Sequence, residues 1–248
     1  MNPLQEAREI ITGALESGRT ALLEPESKRL ITKYRISTPR FSICATEQEA
    51  FEAAERLGYP LVMKIVSPDI IHKTEVGGVK VGVANPEQVR ERYREILRSA
   101  ALKTPTARIV GVLVQRMAPP SAEVIVGAVR DPQFGPAVMF GLGGVFVELL
   151  NDVSFRVAPI DKDEAWEMMQ EVKGIPLLTG YRGSRPLDVK AVARTLASVS
   201  RIVTELDEIE QMDLNPVMVY ESGLSVVDAR IILRPIAARG DDKPPQSE

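Results

Sequence analysis

The sequence is poor in histidine, cysteine and aromatic residues. Among 248 residues there is one cysteine, Cys44, and one histidine, His72. A single cysteine excludes an internal disulfide and agrees with a reducing cytoplasm. Cys44 lies in the apolar run Phe41–Ala45 and reads as a small packed hydrophobe. There is no histidine and cysteine cluster for zinc. No histidine stands near Ser121 or Ser184 in sequence, so a serine triad has little support. Aromatics are only 5%, which makes the expected core aliphatic. No sign of charge dominates. The formal net charge is -3, which argues against nucleic acid as a partner while leaving room for a local phosphate site. The longest uncharged run, Phe134–Val147, contains four glycines and a proline and is too short to span a bilayer. The first residues carry Glu6 and Arg8 instead of the apolar core of a signal peptide, so neither membrane nor export is expected.

What is present is an ordinary globular balance, 44% hydrophobic and 26% charged, on a chain long enough for one large domain or two lobes. Gln5–Ser17 is amphipathic, with Gly18 as its stop, and Pro25 opens a second helix through Tyr34. Phe41–Ala45 reads as a strand. Thr46 and Glu49 then form a capping box for a helix ending near Gly58. Leu61–Val66 and the alternating Val79–Val83 read as strands flanking the loop Ser67–Gly78. Asn85-Pro86-Glu87-Gln88 starts a helix to about Leu102. Strands follow at 109–116, 123–130, 137–140 and 145–150. Helices are expected from the Asp161/Glu164 cap to Val172 and over 187–206, with Val192, Leu196, Val199 and Val203 on one face. A hairpin pairs Gln211–Tyr220 with Leu224–Leu233, and the polar tail after it reads as disordered. Helices mixed with hairpins indicate an α+β or mixed α/β fold in two lobes.

Four places carry chemistry-bearing residues. Lys64 sits inside the apolar strand Leu61–Val66, followed by a loop ending in Gly77-Gly78. Either it is a solvent-facing strand lysine beside a glycine turn, or it is buried and needs an anionic partner such as phosphate. On the hairpin, Asp213 and Asn215 point the same way. With Ser222-Gly223 as the turn, Asp228 falls opposite Val217 and diagonal to Asn215. Three oxygen side chains then suit magnesium, although a solvated polar face is an equal alternative. The run Gly141-Leu142-Gly143-Gly144, with Glu148 beyond it, is not the spaced dinucleotide fingerprint and is a weak signal. His72 lies in the polar loop and is either merely solvated or a covalent nucleophile. Trp166, Met168 and Met169 read as core. Arg182 and Arg185 form a basic loop suited to phosphate or, slightly better, to a partner chain.

Taken in order, the segments from Leu22 to Pro235 resemble the ATP-grasp domain of the ADP-forming acetate–CoA ligase family. The resemblance rests on Glu24-Pro25-Glu26-Ser27-Lys28, Tyr34 to Pro39, Tyr59-Pro60-Leu61-Val62-Met63-Lys64, Ile71-His72-Lys73-Thr74-Glu75-Val76-Gly77-Gly78, Asp213-Leu214-Asn215-Pro216 and Val227-Asp228-Ala229-Arg230. The last pair is also similar to the succinyl-CoA synthetase beta chain, whose further flavodoxin-like domain is not expected here. The resemblance implies a fold of two lobes with nucleotide between them. Helices over 1–38 would pack on the larger lobe, 39–115 would form the small lobe, 116–235 the large lobe, and 236–248 the tail. It implies that Lys64 contacts nucleotide phosphates and that Gly77 and Gly78 belong to the phosphate-covering loop. Val114, Gln115, Arg116 and Met117 would form the hinge beside adenine, and Glu123 would accept bonds from the ribose. Asn215 and Asp228 would hold Mg2+. His72 would be a phosphohistidine that Asp213 orients. The implied reaction converts acyl-CoA, ADP and phosphate to the acid, ATP and CoA, with a CoA-binding alpha subunit as partner in an α2β2 assembly. A succinyl-CoA synthetase-like beta chain and a non-catalytic regulatory grasp domain are the competing implications.

Overall fold

The computed structural model describes residues 2–144 and 152–234. The expected strand at 145–150, with Glu148, and the expected disordered tail lie outside the described residues. The elements begin with two helices, α1 (Pro3–Glu16) and α2 (Glu24–Lys33). A first strand β1 (Phe41–Cys44) leads to α3 (Glu47–Leu57), the strands β2 (Leu61–Val66) and β3 (Val79–Val83), α4 (Pro86–Lys103) and β4 (Gly111–Arg116). Three strands follow, β5 (Ala122–Asp131), β6 (Gly135–Leu142) and β7 (Val153–Val157), then the helices α5 (Lys162–Gln170), α6 (Pro176–Thr179) and α7 (Val189–Glu205). The described chain ends in β8 (Ile209–Val219), β9 (Leu224–Val226) and β10 (Ala229–Leu233).

The strands form two separate antiparallel sheets. The smaller has the order β1-β4-β2-β3, and the larger has the order β10-β8-β5-β6-β7 with β9 beside β8. Each sheet has its own core. Ala50, Ala53 and Ala54 of α3 and Val89, Tyr93 and Ile96 of α4 close over Leu61, Met63, Ile65, Val112 and Val114 of the smaller sheet. The larger sheet buries Val124, Val126, Val138, Phe140, Leu214 and Ile231 against α5, α7 and the two N-terminal helices. Small alanines in α3 let its backbone approach the sheet, and the scarcity of aromatics is met by interlocking aliphatic side chains.

Local rules explain most element ends. Thr46 accepts the Glu49 amide at 3.2 Å, but the Glu49 carboxylate bonds the Ala45 amide at 2.8 Å instead of returning to Thr46. The same pattern recurs at α4. Asn85 accepts from the Gln88 amide at 2.9 Å, and the Gln88 side chain accepts from Ala84 at 2.8 Å. Asp161 and Glu164 form the reciprocal box, with the Asp161 amide 3.1 Å from the Glu164 carboxylate. The glycine run after β6 has a packing reason. The Gly143 amide donates to the Glu123 carbonyl at 2.7 Å, and a Cβ on Gly143 would stand 2.8 Å from Glu123 Cβ. The strand β7, absent from the sequence reading, pairs with β6 at the edge of the larger sheet.

On α7, Val192, Leu196, Val199 and Val203 are all buried, and the helix packs on α5 and on β5, β6 and β8. Leu196 is fully buried at the centre of that stripe. Leu196→Ala is expected to lower unfolding free energy by about 2–5 kcal/mol, read by denaturant titration. A loss below about 1 kcal/mol would mean that α7 is not a core element.

Candidate functional site

The functional geometry begins with charges that the fold removes from water. Lys64 is central in the smaller sheet, between β3 and β4, and only 5% exposed. A buried ammonium must be paired. Here the partners are carboxylates of the larger lobe. Lys64 Nζ donates to Glu24 Oε1 at 2.7 Å, to Asp228 Oδ2 at 2.9 Å and to the Val227 carbonyl at 3.3 Å. Of the two readings of Lys64, the buried one holds, with Glu24 and Asp228 where phosphate was expected.

Glu24, at the start of α2, is 7% exposed and binds more than one cation. Its Oε1 also accepts from Lys28 Nζ at 2.7 Å, and Lys28 in turn donates to Gln115 Oε1 of β4. Its Oε2 lies 2.9 Å from Lys73 Nζ. Lys73 Nζ is also 3.8 Å from Asp228 Oδ2. Three ammonium groups thus face two carboxylates, leaving one positive charge in surplus. Burial alone would raise the carboxyl of Glu24, but Lys64, Lys28 and Lys73 overcome it and hold the pKa far below the usual range. Burial lowers Lys64 less than Glu24 and Asp228 raise it, so its pKa lies above the usual lysine value. Lys28 shares only one carboxylate, and burial wins, pushing it down to about 8.

The hairpin end brings Asp213, Asn215 and Asp228 to one place. The register differs from the sequence expectation. Tyr220 and Gly223 close the turn, Val217 pairs with Val226, and Leu214 pairs with Ala229. Asp228 therefore stands opposite Asn215, whose amide donates to the Asp228 carbonyl at 3.2 Å, and not opposite Val217. The turn is centred on Glu221-Ser222 instead of Ser222-Gly223, a shift of two residues across the ladder. An even shift keeps the same face outward. Asp213 pairs with Arg230 across the same ladder. Burial, then the nearby charge of Asp228, raises the Asp213 carboxyl, against the pull of Arg230. Asp213, Asn215, Asp228, Arg230, Lys73 and Arg108 line one cleft of about 600 Å³ between the lobes.

These hard oxygen donors fit a magnesium ion shared with phosphates. A cation beside Asp228 would relieve the carboxylate repulsion that helps raise Asp213. Among the described residues, no three His, Cys, Asp or Glu side chains could hold a metal by themselves, so ligand oxygens or water would complete the shell.

His72 stands on the segment between β2 and β3, with its side chain 70% exposed and Nδ1 3.9 Å from Glu75 Oε1. Its neighbours Ile70 and Lys73 anchor the segment, Ile70 in the core and Lys73 on Glu24. Gly77 and Gly78 close the segment. Their amides donate to the Thr74 and Lys73 carbonyls at 3.0 and 2.8 Å, so in this arrangement they are not free for an anion. Gly77 has φ +72, and a Cβ on Gly78 would meet Ile65 Cγ2 at 2.5 Å. At the end of β4, Val114 and Gln115 are buried strand residues, and the amides of Arg116 and of Met117 just after it donate to the Arg40 and Pro60 carbonyls at 2.9 and 3.0 Å. Glu123 is exposed on β5. Arg182 lies over the Tyr181 ring, and Arg185 pairs with Glu221 at 3.2 Å on the surface.

Sequence reading missed Glu24, Lys28 and Lys73 as members of the cluster. A signal existed. Glu24 and Lys28 continue the helical stripe that buries Ile31, so a charged pair occupied an apolar face.

Glu24→Gln leaves three buried or half-buried lysines facing one carboxylate. Breaking such a pair typically costs about 3–5 kcal/mol. Because the folded pKa of Glu24 is depressed, its contribution is present above the ordinary 4.5 and is lost as pH falls toward the folded value. Unfolding free energy measured from neutral pH to pH below 4.5 should drop in the wild type and drop less steeply in Glu24→Gln. Identical acid limbs would remove Glu24 from the account.

Comparison with known proteins agrees with this geometry. A family model for the ATP-grasp domain matches residues 13–233. The beta subunit of the ADP-forming acetate–CoA ligase I of Pyrococcus furiosus is 49% identical over 233 residues, which cover 94% of this chain and 100% of the relative. Two solved structures of the acetyl-coenzyme A synthetase 1 of Ca. Korarchaeum cryptofilum also match, each over 92% of this chain and 100% of that chain. One holds coenzyme A, acetyl-coenzyme A and a phosphorylated phosphohistidine segment in the site I orientation, with a TM-score of 0.86 and 50% identity. The other holds coenzyme A and Mg-AMPPCP, with the phosphohistidine segment pointing towards the nucleotide binding site, a TM-score of 0.82 and 49% identity. Sheet order, the charged cleft and these likenesses converge: the chain belongs to the ATP-grasp family and, within it, to the beta subunits of ADP-forming acetate–CoA ligases.

Proposed function

We propose that this chain is the nucleotide-handling subunit of an ADP-forming acetate–CoA ligase and moves a phosphoryl group between His72 and ADP. The observation that carries the reading is the buried Lys64, held between Glu24 and Asp228 at the junction of the lobes beside the His72 segment. The surplus positive charge there is what a nucleotide phosphate would neutralise.

In the synthetic direction the partner alpha subunit would supply the phosphoryl group. Phosphate displaces CoA from acyl-CoA, and the acyl phosphate gives its phosphoryl group to histidine with release of the acid. On this chain an imidazole nitrogen of His72 carries that group to the cleft. A terminal phosphate oxygen of ADP attacks the phosphorus, the bond to nitrogen breaks, and the ring is freed for the next cycle. Lys64 and Lys73 neutralise the transferring oxygens, and the rigid strand under Lys64 fixes its position. Asp213 faces the incoming imidazole and stabilises its protonated form as phosphate leaves. Asn215 and Asp228 would hold magnesium, whose charge would offset that of the phosphate oxygens. The base would lie beside Val114–Met117, with the exposed Glu123 available to the ribose hydroxyls. Gly77 and Gly78 keep the segment compact as it closes over the phosphates. A CoA-binding alpha subunit in an α2β2 assembly completes the enzyme.

Calorimetric titration with ADP·Mg tests the reading. Wild-type protein should bind, and Lys64→Ala should weaken binding at least tenfold, about 1.4 kcal/mol or more, with the fold retained by circular dichroism. Asp228→Asn should shift the magnesium requirement upward. Unchanged nucleotide affinity in folded Lys64→Ala would exclude Lys64 from the site.

A further inference from the structure

We infer that Glu24, acting through Lys73, is the positioning residue that holds the His72 segment on the nucleotide side of the molecule. The inference rests on the phosphoryl-relay reading and adds to it the residue pair that sets where the segment stays.

Glu24 is suited to be the fixed half of such a latch. It lies in the first turn of α2, its side chain is almost wholly buried, and Oε1 is already held by Lys28 and Lys64. Only Oε2 remains, and it faces the segment. Lys73 is the movable half. Its side chain is 22% exposed, it follows His72 directly in sequence, and it reaches Oε2 at 2.9 Å. The other side-chain ties of the segment run to the smaller lobe, where Lys103 Nζ donates to the Glu75 carbonyl at 2.7 Å and Asp69 accepts from the Arg108 amide at 2.6 Å. His72 is solvent-exposed, Ile71 is 62% exposed, and the Gly77 and Gly78 amides bond only within the segment. Lys73 is therefore the side chain that ties the exposed part of the segment to the larger lobe, with Ile70 anchoring its start.

The charge balance also gives the latch a release. Lys73 is within 3.8 Å of Asp228 as well as paired with Glu24. A phosphate arriving at Lys64 and Lys73 competes with both carboxylates for the same ammonium groups. An occupied nucleotide site thus loosens Lys73 from Glu24, and an empty one restores the pair.

Hydrogen exchange of the full chain without nucleotide tests the latch directly. In Lys73→Met, amides over residues 70–78 should exchange about tenfold faster or more than in the wild type, while those of α7 stay unchanged. Lys73→Arg, which keeps the charge, should restore protection. Unaltered exchange over 70–78 in Lys73→Met overturns the latch, as does equal loss of protection in Lys73→Arg. The relay reading has a separate readout, the appearance of acid-labile phosphate on His72 of the wild type. Faster exchange without that phosphate would remove the relay and leave the tether. Phosphate on His72 with unaltered exchange would keep the relay and remove the tether.

Discussion

The structure depends on one buried carboxylate shared by lysines from different parts of the chain. Glu24 comes from α2 on the larger lobe, Lys64 from the smaller sheet, and Lys73 from the segment between two of its strands. Each partner would be costly to bury alone. Together with Lys28 and Asp228 they join the lobes, leave three ammonium groups facing two carboxylates, and place that surplus beside Asp213 and Asn215. Structural and chemical requirements fall on the same atoms. The pairs that hold the lobes in register are those a phosphate would have to rearrange.

This arrangement explains why the site sits on strands instead of loops. Lys64 has hydrogen-bonded strands on both sides, and Asp213 and Asn215 are fixed by the β8–β10 ladder. Rigid elements hold the groups that neutralise charge. In the proposed relay the mobile task, carrying a phosphoryl group, would fall to an exposed histidine on a segment anchored by Ile70 and Lys73. A phosphohistidine carrier needs both properties, since transfer requires close positioning and delivery requires release.

Much of this was legible in the sequence, and the limits have physical causes. The apolar stripe of α7 and the Asp161–Glu164 box are local patterns, and both appear as read. Lys64 stood out because a charged residue interrupts a strand otherwise apolar on both faces. Its partners did not, since Glu24 is 40 and Asp228 164 positions away, and no local rule brings them there. The hairpin register slipped because Glu221-Ser222 and Ser222-Gly223 are both plausible turn centres. The error was even, so Asp213, Asn215 and Asp228 still shared a face. Gly77 and Gly78 were read as part of a phosphate-covering loop, and Gly143 only as part of a weak glycine motif. In the structure Gly78 and Gly143 are needed because a Cβ would strike Ile65 and Glu123.

The central claim is that His72 carries phosphate to and from the nucleotide held at Lys64. Incubating the purified chain with ATP labelled at the gamma position, alongside His72→Ala, tests it most directly. Phosphoryl transfer run backwards should place an acid-labile, base-stable label on the wild type and none on the variant. Equal labelling of both proteins, or no label on a wild type that binds ATP even with its alpha partner present, would contradict the account.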